Sequence, residues 1–137
     1  MEALVRELID ATIRRDFGAL EGGMLHPDFE YESLFAQAEG EVWRGVNGLR
    51  RWAEEVDTIW EDFRVTVEGI EVVDDDTAVL CARLTGRARG SGVPLDQQIG
   101  QVWIRRDGMV ERVVAHPTLE DARAAARAQS GGRAPGG

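Results

Sequence analysis

Between Asp62 and His116 the chain leaves no room for a crossover helix, and this narrows the folds open to it more than any other feature. Phe63, Val65 and Val67 alternate with Arg64, Thr66 and Glu68, the period-two pattern of a half-buried strand over Asp62–Val73. Asp74-Asp75-Asp76 then reads as a turn, and a second long strand runs from Thr77 to about Arg89. Gly90-Ser91-Gly92 is loop punctuation, and Pro94 opens the third strand, whose body is Asp96–Arg106. Asp107-Gly108 is a two-residue hairpin signal, and Met109–His116 returns from it. With connections this short, the strands pair as antiparallel hairpins.

Upstream the period changes from two to that of a helix. Leu4, Val5, Leu8, Ile9, Thr12 and Ile13 predict an amphipathic helix over residues 2 to 15 that buries one stripe. A short second helix over Asp16–Leu25 is broken by Gly22-Gly23. His26–Ser33 alternates like a strand, and after a turn rich in Gly and Glu, Trp43-Arg44-Gly45 leads into a helix. On that helix Leu49, Trp52, Ala53, Val56, Ile59 and Trp60 share a face. Leu119–Ala128 reads as a short helix of Ala and Arg. Gln129–Gly137 holds four Gly, one Pro and no large apolar residue, so residues 129–137 are expected to be a disordered tail behind a single domain over 1–128. Helices first and long strands afterwards indicate an α+β domain.

Composition removes several function classes. The 137 residues carry a formal charge of -9, with 25 acidic against 16 basic side chains, which disfavours nucleic acid and acidic partners generally. Every basic residue is Arg; without Lys, a Schiff base with a carbonyl substrate or with pyridoxal phosphate is excluded. The lone Cys81 allows no disulfide within the chain and fits a reducing compartment. No apolar run resembles a signal peptide or the eighteen or so residues of a membrane span, so a cytoplasmic protein without membrane contact is expected. No Gly-rich phosphate loop comes after a strand, and Ser33, Ser91 and Ser130 show no nucleophile elbow. Asp74–Asp76 lack ligand geometry, so neither metal nor cofactor is expected.

Four stretches, Leu25–Tyr31, Trp43–Gly45 with its helix, Arg87–Val93 and Val102–Gly108, resemble the SnoaL-like branch of the nuclear transport factor 2-like superfamily, which includes the ketosteroid isomerases. The resemblance extends from Leu4 to about Ala128. It implies a cone-shaped α+β barrel, a strongly curved antiparallel sheet wrapped around three helices with a short C-terminal helix, enclosing a conical, mostly apolar cavity. It also implies a homodimer through the outer face of the sheet. Activities in such cavities include isomerases, dehydratases, polyketide cyclases and epoxide hydrolases. Carried onto this chain, the isomerase base position falls on Ser33, its Tyr on Leu8 and its oxyanion Asp on Gln101 or Gly100, so those functional groups are replaced. The cyclase Asp and His positions fall on Ala115 and Val113. The only Asn, Asn47, stands at a helix start, which leaves the hydrolase relay without its parts.

The remaining polar candidates are few. Gln101 and Trp103 lie two apart on one strand and point the same way, and a Gln amide can bind a ligand carbonyl or hydroxyl. Tyr31, the sole Tyr, shares a face with Phe29 and Ser33. With Trp43 and Trp52, these residues form the expected ligand-binding set, Tyr31, Ser33, Trp43, Trp52, Gln101 and Trp103, for a small apolar molecule. His116 is the candidate acid-base group, since imidazole titrates near neutral pH, although strand parity from Val113 and Ala115 directs it outward. Asp28 and Glu30 are the other possible bases of an isomerase, dehydratase or cyclase. A dimeric interaction module is a third reading. His26, before Pro27 at the start of its strand, is expected to be exposed, and Cys81 to be a buried strand thiol.

Overall fold

A computed structural model describes residues 1–34 and 42–131. Two helices come first, α1 (Glu2–Ile13) and α2 (Phe17–Glu21). Strand β1 (Leu25–Glu32), the two-residue strand β2 (Trp43–Arg44) and helix α3 (Gly45–Ile59) come next. The hairpin run is β3 (Trp60–Asp74), β4 (Thr77–Ala88), β5 (Pro94–Arg106) and β6 (Met109–His116), closed by helix α4 (Leu119–Gly131). Most of the Gly- and Glu-rich turn before Trp43, and the last six residues of the predicted tail, lie outside the described residues.

The six strands form one sheet in the order β2-β1-β6-β5-β4-β3, which is not closed into a barrel. From β3 to β6 each neighbour is antiparallel. Asp107 and Gly108 have φ of 55° and 77°, the pair of positive values that a two-residue turn matched to strand twist requires. One expectation needs correcting: β1 runs parallel to β6, with Tyr31 opposite Val113, so the sheet is mixed. Short turns dictate antiparallel hairpins, whereas the β1–β6 pairing joins segments about eighty residues apart and is settled by tertiary closure.

The sheet bends around α1, α2 and α3. Phe29, Leu80, Ile99, Trp103 and Val113 pack inward against Val5, Leu8, Leu20 and Trp52. Three register shifts along β3 supply local bends. The outer face is covered in part by α4, whose Ala122 and Ala126 pack on Val79, Val102 and Ile104. Gly100 permits that approach, because a Cβ there would sit 2.6 Å from the Ala122 Cβ and 2.9 Å from the Thr118 carbonyl. The last helix also runs to Gly131, past the expected end at Ala128. Ser130 Oγ donates to Asp74 Oδ2 at 2.6 Å and ties the final turn to the β3–β4 hairpin.

Candidate functional site

The site is an apolar cavity of about 100 Å³ between the inner face of the sheet and the helices. Leu8, Ile9 and Ile13 of α1 form one wall, and Leu49 and Trp52 of α3 another. Alternating positions of the strands complete it, among them Phe63 and Val65 of β3 and Val113 and Ala115 of β6. The aromatic rings interlock edge to face. Tyr31 and Trp52 centroids are 5.3 Å apart at 73°, and those of Trp52 and Phe63 are 6.3 Å apart at 79°.

Three of the lining residues, Tyr31, Gln101 and Trp103, are joined by hydrogen bonds. Gln101 is only 8 % exposed, and its Oε1 accepts from Trp103 Nε1 at 3.0 Å. Trp can only donate, so this bond settles which end of the amide faces the indole and leaves the NH₂ group for other partners. Gln101 also hydrogen-bonds the Tyr31 hydroxyl; burial pushes that hydroxyl's pKa far above its ordinary range, and the bond from Gln101 offsets only part of the rise. Thr12, another polar lining residue, donates its hydroxyl to the Leu8 carbonyl at 2.8 Å.

Of the expected ligand-binding set, Tyr31, Ser33, Trp52, Gln101 and Trp103 line this cavity. Trp43 does not. It is buried in the core, and a Cβ on Gly48 would come within 2.9 Å of its carbonyl carbon, so the glycine lets α3 lie close on the β2 backbone. His116 pairs with Gly100 on the face opposite Ala115 and stands outside the lining. Asp28 and Glu30 also fall on the other face of β1, where they pair with Arg106 at 3.1 Å and Arg44 at 3.6 Å. None of the three acid-base candidates reaches the cavity.

His26 corrects an expectation: it is 9 % exposed, not open to solvent. Its Nδ1 accepts from the Asp28 backbone N–H at 3.0 Å, and its Nε2 lies 3.7 Å from Asp107 Oδ2. The fold brings the β5–β6 hairpin turn over the start of β1, a neighbour that local sequence does not reveal. His26, Asp28 and Glu111 place ligand atoms within 4.8 Å of one another. Arg106 holds both carboxylates, with Nε 2.6 Å from Glu111, so this group is an ion-pair cluster. Cys81 is buried as expected, its thiol pKa raised first by burial and then by Glu68.

Sequence reasoning misses Arg15, yet it is the one charged side chain lining the cavity among the described residues. Its backbone has φ of 60° just beyond the end of α1. The pattern that draws attention to it is an absence: a helix ending at Ile13-Arg14 with Arg where a glycine commonly stands.

The sequence profile of the SnoaL-like domain matches residues 5–116. No match is found among curated proteins. Among solved structures, the chain is similar to a Catenulispora acidiphila hypothetical protein of ketosteroid isomerase-like fold in complex with trimethylamine. That likeness has a TM-score of 0.70 at 18 % identity, over 90 % of this chain and 92 % of the other. A putative polyketide cyclase from Sinorhizobium meliloti gives 0.65 at 24 %, over 83 % and 94 %. An NTF2-like protein from Burkholderia thailandensis gives 0.73 at 17 %, over 91 % and 95 %.

Proposed function

Since the chain belongs to the SnoaL-like domain family, we propose that it binds a small, mostly apolar molecule whose hydrogen-bond acceptor meets the Tyr31–Gln101 pair. The observation that carries this reading is an apolar cavity whose lining includes the hydrogen-bonded Tyr31, Gln101 and Trp103. Volume sets the scale. Drug-sized ligands occupy roughly 300–1,000 Å³, whereas a cavity of roughly 150 Å³ takes a benzene ring, so about 100 Å³ limits the ligand to a single ring at most, with slight adjustment of the walls. A multi-ring substrate would need the walls to move. The Catenulispora relative, in complex with trimethylamine, supports a ligand of small size.

Acetophenone and ethylbenzene differ mainly in a carbonyl and test the acceptor. One hydrogen bond is worth about 1 kcal/mol net, which is roughly a fivefold preference for acetophenone in tryptophan fluorescence titrations. Gln101→Leu should erase that preference. Failure of both compounds to bind would refute the reading.

The same proposal includes the homodimer that the resemblance implies. Because α4 already covers Val79, Val102 and Ile104, the free outer face is polar, built on Arg83 with Glu68 at 3.1 Å and Asp96 at 2.8 Å. Light scattering should return twice the 15.1 kDa of one chain, and a monomer at all concentrations would rule the pairing out.

A further inference from the structure

The end of α1 places a cation at the cavity in a backbone conformation that has no need of one. Arg15 N–H bonds the Thr12 carbonyl at 3.1 Å and Asp16 N–H the Ala11 carbonyl at 2.8 Å. These are the two bonds of a Schellman motif, with Arg15 at the left-handed position, φ of 60°. Glycine fills that position without strain, and Arg is not among the side chains that tolerate it well. A side chain kept there against backbone preference invites a functional explanation.

Its guanidinium is held, but not saturated. Nε and Nη2 bind Asp57 Oδ2 and Oδ1 at 3.3 and 2.6 Å, and Nη1 binds the Thr12 carbonyl at 2.9 Å. A guanidinium has five N–H groups, so among the described residues two remain beyond these three. Asp57 is itself outside the cavity lining, and its side chain is 56 % exposed. Resting on the small-molecule reading above, we propose that Arg15 is a specificity determinant for ligands carrying a carboxylate, so that the cavity takes a small apolar acid. Its ring lies among Trp52, Tyr31 and Phe63, and its carboxylate takes the free N–H groups of Arg15.

The overall charge of -9 opposes an anion only at long range. At physiological ionic strength, fields beyond about 8 Å are largely screened, so a guanidinium at contact distance outweighs them. Charge-assisted, forked contacts to carboxylate are where Arg exceeds every other side chain.

Benzoate and benzamide share one shape and differ in charge, which makes them the probes. Titrated by tryptophan fluorescence, benzoate should bind at least tenfold tighter than benzamide to the unaltered protein. Arg15→Met keeps a long side chain there and should remove that preference, weakening benzoate at least tenfold and benzamide, which loses only a neutral acceptor contact, far less. Asp57→Asn frees the guanidinium and should tighten benzoate severalfold. If Arg15 and Asp57 serve only to latch α1 to α3, Asp57→Asn weakens both probes or neither, and the inference falls. Equal binding of the two probes to the unaltered protein also overturns it, with the small-molecule reading intact. Binding of neither benzoate nor benzamide removes both.

Discussion

The Trp103 side chain has a single polar atom, a donor, and through it one indole orients the polar part of the cavity wall. Its bond fixes the Gln101 amide, and the amide in turn reaches Tyr31. Tyr31 also gives the site a pH signature. Its pKa is raised on folding, so above the unfolded value of 10.0 the unfolded chain releases a proton that the folded chain retains. The contribution of Tyr31 to stability is therefore intact below about pH 10 and is lost as pH rises beyond it. The chain has no Lys and no other Tyr, which leaves Cys81, also raised, as the other side chain titrating nearby. Urea midpoints measured from pH 8 to 11, a range bracketing these groups, should decline less in Tyr31→Phe than in the unaltered protein, with Cys81→Ala as the control. Residues on regular strands were legible, because period two assigns Gln101, Trp103 and Tyr31 their faces without any tertiary knowledge. Trp43 and Arg15 were not, since one depends on how closely α3 crosses β2 and the other on a backbone angle at a helix end.

Among the elements, α4 depends most on a single small residue. Replacing Gly100 by Ala would set a methyl group 2.6 Å from the Ala122 Cβ and 3.0 Å from the Leu119 Cα, with backbone on two sides and no flexible side chain to yield. Overpacking of this kind costs roughly 1–3 kcal/mol. A Gly100→Ala chain should melt several degrees lower, and its loss should be partly restored by Ala122→Gly. Arg123 would still hold the helix to β3 through Glu71, an exposed pair 3.0 Å apart that contributes little on its own. Element types could be read from local signals because each hairpin carries its own turn: Asp74–Asp76, Gly90–Gly92, Asp107-Gly108. The direction of β1 against β6 had no such local mark. Nor did the last turn of α4, which Ser130 secures by reaching Asp74 across the fold.

At the scale of the whole molecule, charge and sheet geometry act together. Two copies of a -9 chain repel, so any pairing through the outer face should strengthen as salt rises from low to physiological concentration. The opposite trend would point to an interface held by ion pairs such as Arg83 with Asp96. No helix among the described residues is long and apolar enough to cross a membrane. The three register shifts that bend β3 around the cavity have another effect, because β3 is also the outermost strand of an open sheet. A long, regular outer strand offers unpaired backbone groups to any passing chain and templates aggregation. Breaks at Glu61/Arg64, Val67/Gly69 and Val72/Asp74 interrupt that row, and Glu61, Asp62, Arg64 and Glu71 stud it with exposed charge. The curvature that makes room for a ligand is thus also what keeps the sheet from growing by another strand.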